Sequence, residues 1–182
     1  HAWFAHVPGL RVVMPSTVAD ARDLLIASVL CNDPVIFIDD KWLYSQEDHL
    51  SPIVETNLLS QKPKISIKGK HITIVASGYC SLLARNAAAL LKKNQILAEV
   101  IDVRVLNPLN TETIMKSVKK TKNLMVVDPG WLSAGFSAEI TSKVLERLPV
   151  NCLKNPPLRI ALPDAPAPSS KKLEKSYYTT TH

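Results

Sequence analysis

The chain has 182 residues, 46% of them hydrophobic and 21% charged, the profile of an ordinary globular protein with room for one domain and part of another. No run approaches the roughly 18–20 apolar residues of a membrane helix, and no basic stretch followed by an apolar core marks a secretory leader. The net charge of +6 is split, with a balance of −5 over residues 1–60 and +11 over residues 61–182, so two chemically different units meet near residue 60.

Residues 2–17 predict a short apolar helix, a tight turn at Pro8-Gly9 and a strand over 10–14 stopped by Pro15. A helix follows over 18–30, then a break at Asn32-Asp33-Pro34 and a buried strand over 34–39. A helix opening at residue 2 with nothing before it to pack on reads as the latter part of a domain, so an incomplete first unit is expected over residues 1–45. Residues 46–70 carry Pro52 and Pro63 without a sustained period and read as a linker, with a short strand over 65–67. Trp42 and Tyr44 are expected to pin that linker to a domain.

From residue 71 the pattern is regular. The run ITIVA over 72–76 is continuous and β-branched, as in a strand buried on both faces. An amphipathic helix over 81–93 leads to a strand over 97–101, and Asn107-Pro108-Leu109-Asn110 turns the chain. Thr111 is placed to cap a helix reaching 120. A strand over 123–127, a loop over 130–134, a helix over 136–148 and a strand over 158–161 follow. The proline-rich PDAPAPSS and a helical piece over 171–178 close the sequence. Strands alternating with helices, joined by long crossovers, predict parallel pairing and two doubly wound α/β units. The second unit, 71–182, reads as complete.

Few residues announce chemistry. Cys31, Cys80 and Cys152 cannot all pair, form no C-x-x-C and gather no His or Asp at ligand spacing, so reduced thiols in a cytoplasmic protein are expected. The basic second half invites a nucleic-acid reading. Its lysines, however, fall at separate helix ends, where the helix dipole favours them, and no aromatic residues interleave to stack bases; no nucleic-acid or membrane partner is expected. SGYCS over 77–81 sits where a phosphate-binding turn would lie, but a single glycine makes a helix-capping turn the expectation. Asp39 and Asp40, adjacent on an extended chain, point to opposite sides, which argues against an acid/base pair. His6 beside the turn reads as a structural hydrogen-bonder. Trp131 in the loop is a large apolar surface suited to a subunit contact.

Taken in order, AWFAHVPGLRVVMPSTVADARDLL, DPVIFIDD, IDVRVLNPLN, GFSAEI and PDAPAP resemble the beta subunit of thiamine-diphosphate-dependent 2-oxo acid dehydrogenases of the pyruvate dehydrogenase type, whose layout transketolase shares. The resemblance implies an incomplete pyrimidine-binding domain followed by a transketolase C-terminal domain. It implies a parent enzyme that uses thiamine diphosphate and Mg for oxidative decarboxylation of a 2-oxo acid such as pyruvate, with a transketolase-like ketol transfer as the alternative. The family's catalytic histidine and cofactor-activating glutamate lie upstream of Trp3, and His1 does not fit the histidine's spacing. No catalytic or thiamine-binding residue is therefore carried over, and the fragment alone is expected to be inactive. A potassium ion held at Ser28, Val29 and Asp33 is implied, but Cys31 stands where an acid is expected, and a metal-free capping loop is the alternative. The second domain is expected to assemble subunits through Arg104, Asp128 and Trp131, as a homodimer or with an alpha subunit, and to dock a dihydrolipoyl acyltransferase. A non-catalytic assembly module is the reading from another class.

Overall fold

β-branched runs build the centre of the molecule. The computed structural model describes residues 1–53 and 55–181. In chain order it contains α1 (Ala2–His6), β1 (Arg11–Val13), α2 (Val18–Val29), β2 (Val35–Phe37), 3-10 turns at Lys41–Leu43 and Leu58–Ser60, β3 (Lys64–Ile67), β4 (Ile72–Ala76) and α3 (Gly78–Lys93). Then come β5 (Ala98–Asp102), β6 (Val105–Asn107), α4 (Glu112–Thr121), β7 (Leu124–Trp131), α5 (Phe136–Leu145), β8 (Leu158–Leu162) and α6 (Lys171–Tyr177).

A five-stranded sheet runs in the order β3-β5-β4-β7-β8, and a three-stranded sheet in the order β2-β1-β6. β4 pairs in parallel with β5 and β7, as β7 does with β8 and β1 with β2. Two strands depart from all-parallel pairing: β3 is antiparallel to β5, and β6 is antiparallel to β1. β3 is an edge strand fed from the linker, with Lys64 exposed as edge strands require, and an antiparallel edge on a parallel sheet is common. β6 had no sequence signal of its own. Its Val105 and Leu106 are buried, and it adds an edge to the small sheet, so the second unit supplies a strand to the first.

Alternation along the central strands sorts the core into two faces. Ile74, Ala76, Ala98 and Val100 meet Cys80, Ala84 and Ala88 of α3 on one face. Val75, Ile101 and Val126 meet Ile114 and Val118 of α4 and Ile140 and Val144 of α5 on the other. A third cluster joins Val13 of β1, Leu24 and Ala27 of α2, and Val105 of β6. α1 has no fully buried residue, although Ala2 and Ala5 pack on the main core.

Local caps differ from expectation in two places. α3 begins at Gly78, whose φ of +51° places it in the left-handed region that glycine tolerates. At α4 the Thr111 side chain makes no cap; Glu112 N–H donates to Asn110 Oδ1 at 3.0 Å, and the buried Thr111 hydroxyl accepts from Arg147 at 3.2 Å.

Candidate functional site at the junction of the two sheets

From β4 the chain crosses to β5 on one side and later to β7 on the other. The carboxyl ends of β4 and β7 therefore frame the topological switch point, where open α/β sheets hold their ligands. A cavity of about 150 Å3 lies there, lined by Trp42, Tyr79, Cys80, Leu83, Pro129 and Tyr178, among others. The start of α3 presents free backbone N–H groups to it, and the chain answers them itself: Asp40 Oδ2 accepts from Tyr79 N–H at 3.2 Å. The place of an external anion is taken by a carboxylate from the end of the small sheet. Asp39 takes a different partner and accepts from the Tyr44 hydroxyl. Cys80 is inert as a nucleophile: burial, reinforced by the charges of Asp128 and Asp40, pushes its thiol up to about 12.

Buried polar contacts bind the two sheets together. Arg104 Nη1 donates to Asp20 Oδ1 at 2.7 Å, and its Nη2 donates to Lys62 O at 2.8 Å. Thr17 and Asp20 form the cap of α2, Asp20 N–H donating to Thr17 Oγ1 at 3.1 Å, so the ion pair grips the helix by its first turn. Asp102, at the end of β5, accepts from the Ser16 hydroxyl and, at 2.7 Å, from Ser81; Arg85 donates to Ser16 Oγ at 3.1 Å. Burial raises the Asp102 carboxyl above its ordinary range despite both serines. On the opposite face, burial alone would raise Glu99, but Lys120 at 2.5 Å and the Gly69 N–H hold it below the ordinary range.

Asp128 lies within β7, three residues before its end. Its Oδ1 lies 2.9 Å from His1 Nε2 and accepts from Gly130 N–H at 2.9 Å, and its Oδ2 accepts from Ser137 N–H at 2.5 Å at the start of α5. Burial opposes ionisation here, yet the bonds from His1 and the two backbone groups prevail and lower the carboxyl. Gly135 is required beside it, because a Cβ there would stand 2.0 Å from Trp131 O. The His1 ring meets Phe136 edge-on at 6.0 Å.

The residues marked by sequence thus have varied surroundings. Arg104 and Asp128 are spent on partners within the chain. Trp131 is 49% exposed, but its indole N–H donates to Ala165 O at 3.1 Å and to Tyr177 Oη at 2.9 Å. Trp42 lies against Tyr79, with ring centroids 5.0 Å apart. His6 lines a cleft of about 380 Å3 with Asn107, Glu139 and Lys143. The potassium turn is a poor fit. Asp33 is engaged by Arg11 at 2.7 and 2.8 Å, Ser28 Oγ donates back to Leu24 O at 2.6 Å, and Val29 is 77% exposed. Both Arg11 nitrogens sit on Asp33 Oδ2, so the only carboxylate of the set meets a hard cation with its charge already paired. Among the described residues no group of three or more His, Cys, Asp or Glu gathers at metal-binding distance, and no helix is long and apolar enough to cross a membrane.

Sequence reasoning missed Asp20, Ser16, Asp102, Glu99 and the His1 contact. The available signal was an acid inside an apolar strand run, as at Glu99 and Asp102, which must find a partner when buried.

Residues 61–182 match the family model of the transketolase C-terminal domain. The chain is 38% identical over 174 residues to the pyruvate dehydrogenase E1 component subunit beta of Rhizobium meliloti (strain 1021), a match spanning 96% of this chain and 38% of that protein. It is 35% identical over 180 residues to the mitochondrial human pyruvate dehydrogenase E1 component subunit beta, spanning 95% of this chain and 49% of the relative. The chain therefore spans less than half the length of these two curated relatives. A solved chain described as "Split gene transketolase, inactive beta4 tetramer" superposes with a TM-score of 0.80 at 22% identity, over 99% of this chain and 56% of that one; at that identity the likeness is one of fold.

Proposed function

The chain belongs to the transketolase C-terminal domain family, and from that premise we propose that it is the subunit-assembling, partner-docking part of a thiamine-diphosphate-dependent 2-oxo acid dehydrogenase beta subunit. The observation that carries this reading is the extent of the similarity to pyruvate dehydrogenase E1 beta subunits. It runs over 95–96% of the chain and so takes in the small sheet as well as the matched domain. The transketolase alternative shares the C-terminal domain family, but beyond that domain the solved transketolase chain offers only a likeness of fold.

In the parent enzyme, thiamine diphosphate with Mg would supply the carbanion stabilisation that decarboxylation of a 2-oxo acid such as pyruvate needs. No residue of this chain is assigned to that cofactor, and the buried acids described above are each committed to structural partners. Several large apolar side chains are exposed. Trp3 is 84% exposed, with Phe4, Val7, Trp131 and Leu132 also open, and tryptophan is the residue most enriched among those that carry binding energy at interfaces. Such side chains suit contact with a second copy or the alpha subunit of the same enzyme, and the second domain suits docking of a dihydrolipoyl acyltransferase. Arg104 serves assembly indirectly by tying the second unit to the first turn of α2, and Asp128 by holding His1 beside the start of α5. Grafted in place of the matching segment of a pyruvate dehydrogenase beta subunit and expressed with its alpha subunit, the chain should give an assembled enzyme that decarboxylates pyruvate. A graft that folds but neither assembles nor turns over pyruvate would overturn the proposal.

A further inference from the structure

Residues 171–181 lie across the mouth of the switch-point crevice, yet no residue of α6 is buried. Adjacent tyrosines of the segment each take a partner outside it. Tyr177 Oη donates to Ala165 O at 2.7 Å and accepts from Trp131 Nε1 at 2.9 Å, which ties it to the end of β7. The Tyr178 ring lies 5.3 Å from Trp42, and Trp42 lies 5.0 Å from Tyr79 at the start of α3. One tyrosine therefore holds the second domain, and its neighbour holds the aromatic residue that follows the small sheet.

Tyr178 also forms one wall of the cavity of about 150 Å3, whose other walls include the apolar Leu83, Pro129 and Leu162. The Asp40 carboxylate lines the same cavity. Outside it, a groove of about 600 Å3 runs between α6 and the Trp42–Tyr79 pair, past Lys171, Glu174 and Lys175. Segments with few buried contacts and exposed hydrogen bonds open at far lower free energy than the core, and the fastening here is of that kind.

We propose that residues 171–181 are a strap that opens as a unit about the exposed Ser169-Ser170 and so controls access to the switch-point crevice. This rests on the aromatic fastening and the cavity beneath it, and it stands whichever enzyme the parent is. The strap carries its own reporters, since Lys171, Lys172 and Lys175 are tryptic sites. In limited trypsinolysis of the full chain followed by mass spectrometry, replacing both tyrosines (Tyr177→Ala with Tyr178→Ala) should speed cleavage after these lysines at least tenfold while leaving the thermal midpoint unmoved. Tyr177→Phe, which removes only the hydroxyl, should give a smaller acceleration in the same bonds. Equal cleavage rates in wild type and the double variant would overturn the proposal. So would a fall in midpoint as large as that of a core variant such as Ile101→Ala, because the strap would then be part of the cooperative fold and not a separately opening element.

Discussion

Replacing Arg104 with methionine tests the junction between the sheets directly. Arg104 and Asp20 have side chains only 12% and 7% exposed, and the pair spans the second unit and the first turn of α2. Breaking a buried pair from one side leaves an uncompensated charge and costs about 3–5 kcal/mol. Asp20 would keep its bond from the Thr17 hydroxyl at 2.8 Å and the more distant Lys64 at 3.9 Å, which places the expected loss near the lower end, about 3 kcal/mol. Removing the arginine also relieves its own Nε, which is buried without a partner and so limits the loss further. At about 2–4 °C per kcal/mol for a chain of this size, the midpoint should fall by about 6–12 °C. The assay is chemical denaturation of Arg104→Met, Asp20→Asn and the double variant. The double variant should recover most of the loss, because no buried charge is left alone, and the coupling should exceed about 1.5 kcal/mol. A loss under about 1 kcal/mol, or strict additivity, would show that the pair is solvated and that the sheets are joined by other means.

Acid titration separates two buried carboxyls. Asp128 is lowered in the folded state, so its contribution is present above the ordinary carboxylate value of about 3.9 and is lost as pH falls through the lower folded value; the stability gap between wild type and Asp128→Asn should shrink on acidification below about pH 4. Asp102 is raised, so wild type should lose stability relative to Asp102→Asn as pH rises above about 4, and a gap constant with pH would refute the burial argument. Under native conditions Cys31 and Cys152 should react with an aromatic disulfide reagent while Cys80, whose thiol sits near 12, reacts only on unfolding; rapid labelling of all three would contradict its burial. Gly135→Ala should cost at least about 2 kcal/mol, because the Trp131 carbonyl, 2.0 Å from the new carbon, must move and carry the β7–α5 turn with it; an unchanged melting point would show that the turn yields freely.

How much of this was legible depends on the range of the forces involved. β4 lies at 72–76 as its unbroken β-branched run indicates, and α2 differs from its expected span by one residue, because period and burial are properties of a short window. Asp39 and Asp40 take separate partners, Tyr44 and Tyr79. β6 was invisible because three residues after Arg104 acquire strand geometry only by pairing with β1, more than 90 positions earlier. The junction was equally hidden. Arg104 finds Asp20 across 84 positions, Ser16 finds Asp102 across 86, and His1 finds Asp128 across 127. Trp131 ends β7, Asp128 lies within it and Arg104 links β5 to β6, and none of these positions by itself says whether a polar group faces outward or back into its own chain. The potassium reading met the same difficulty, since nothing local places the Arg11 guanidinium on Asp33.

The proposed assembly role is tested most directly by the solution mass of the purified chain, measured by light scattering with and without the alpha subunit of a pyruvate dehydrogenase. The account predicts a mass at or above twice the 20.1 kDa of one chain, or a shift to a larger species on adding the alpha subunit, with Trp3→Ser weakening the association. A folded monomer that stays monomeric in the presence of the alpha subunit would contradict it.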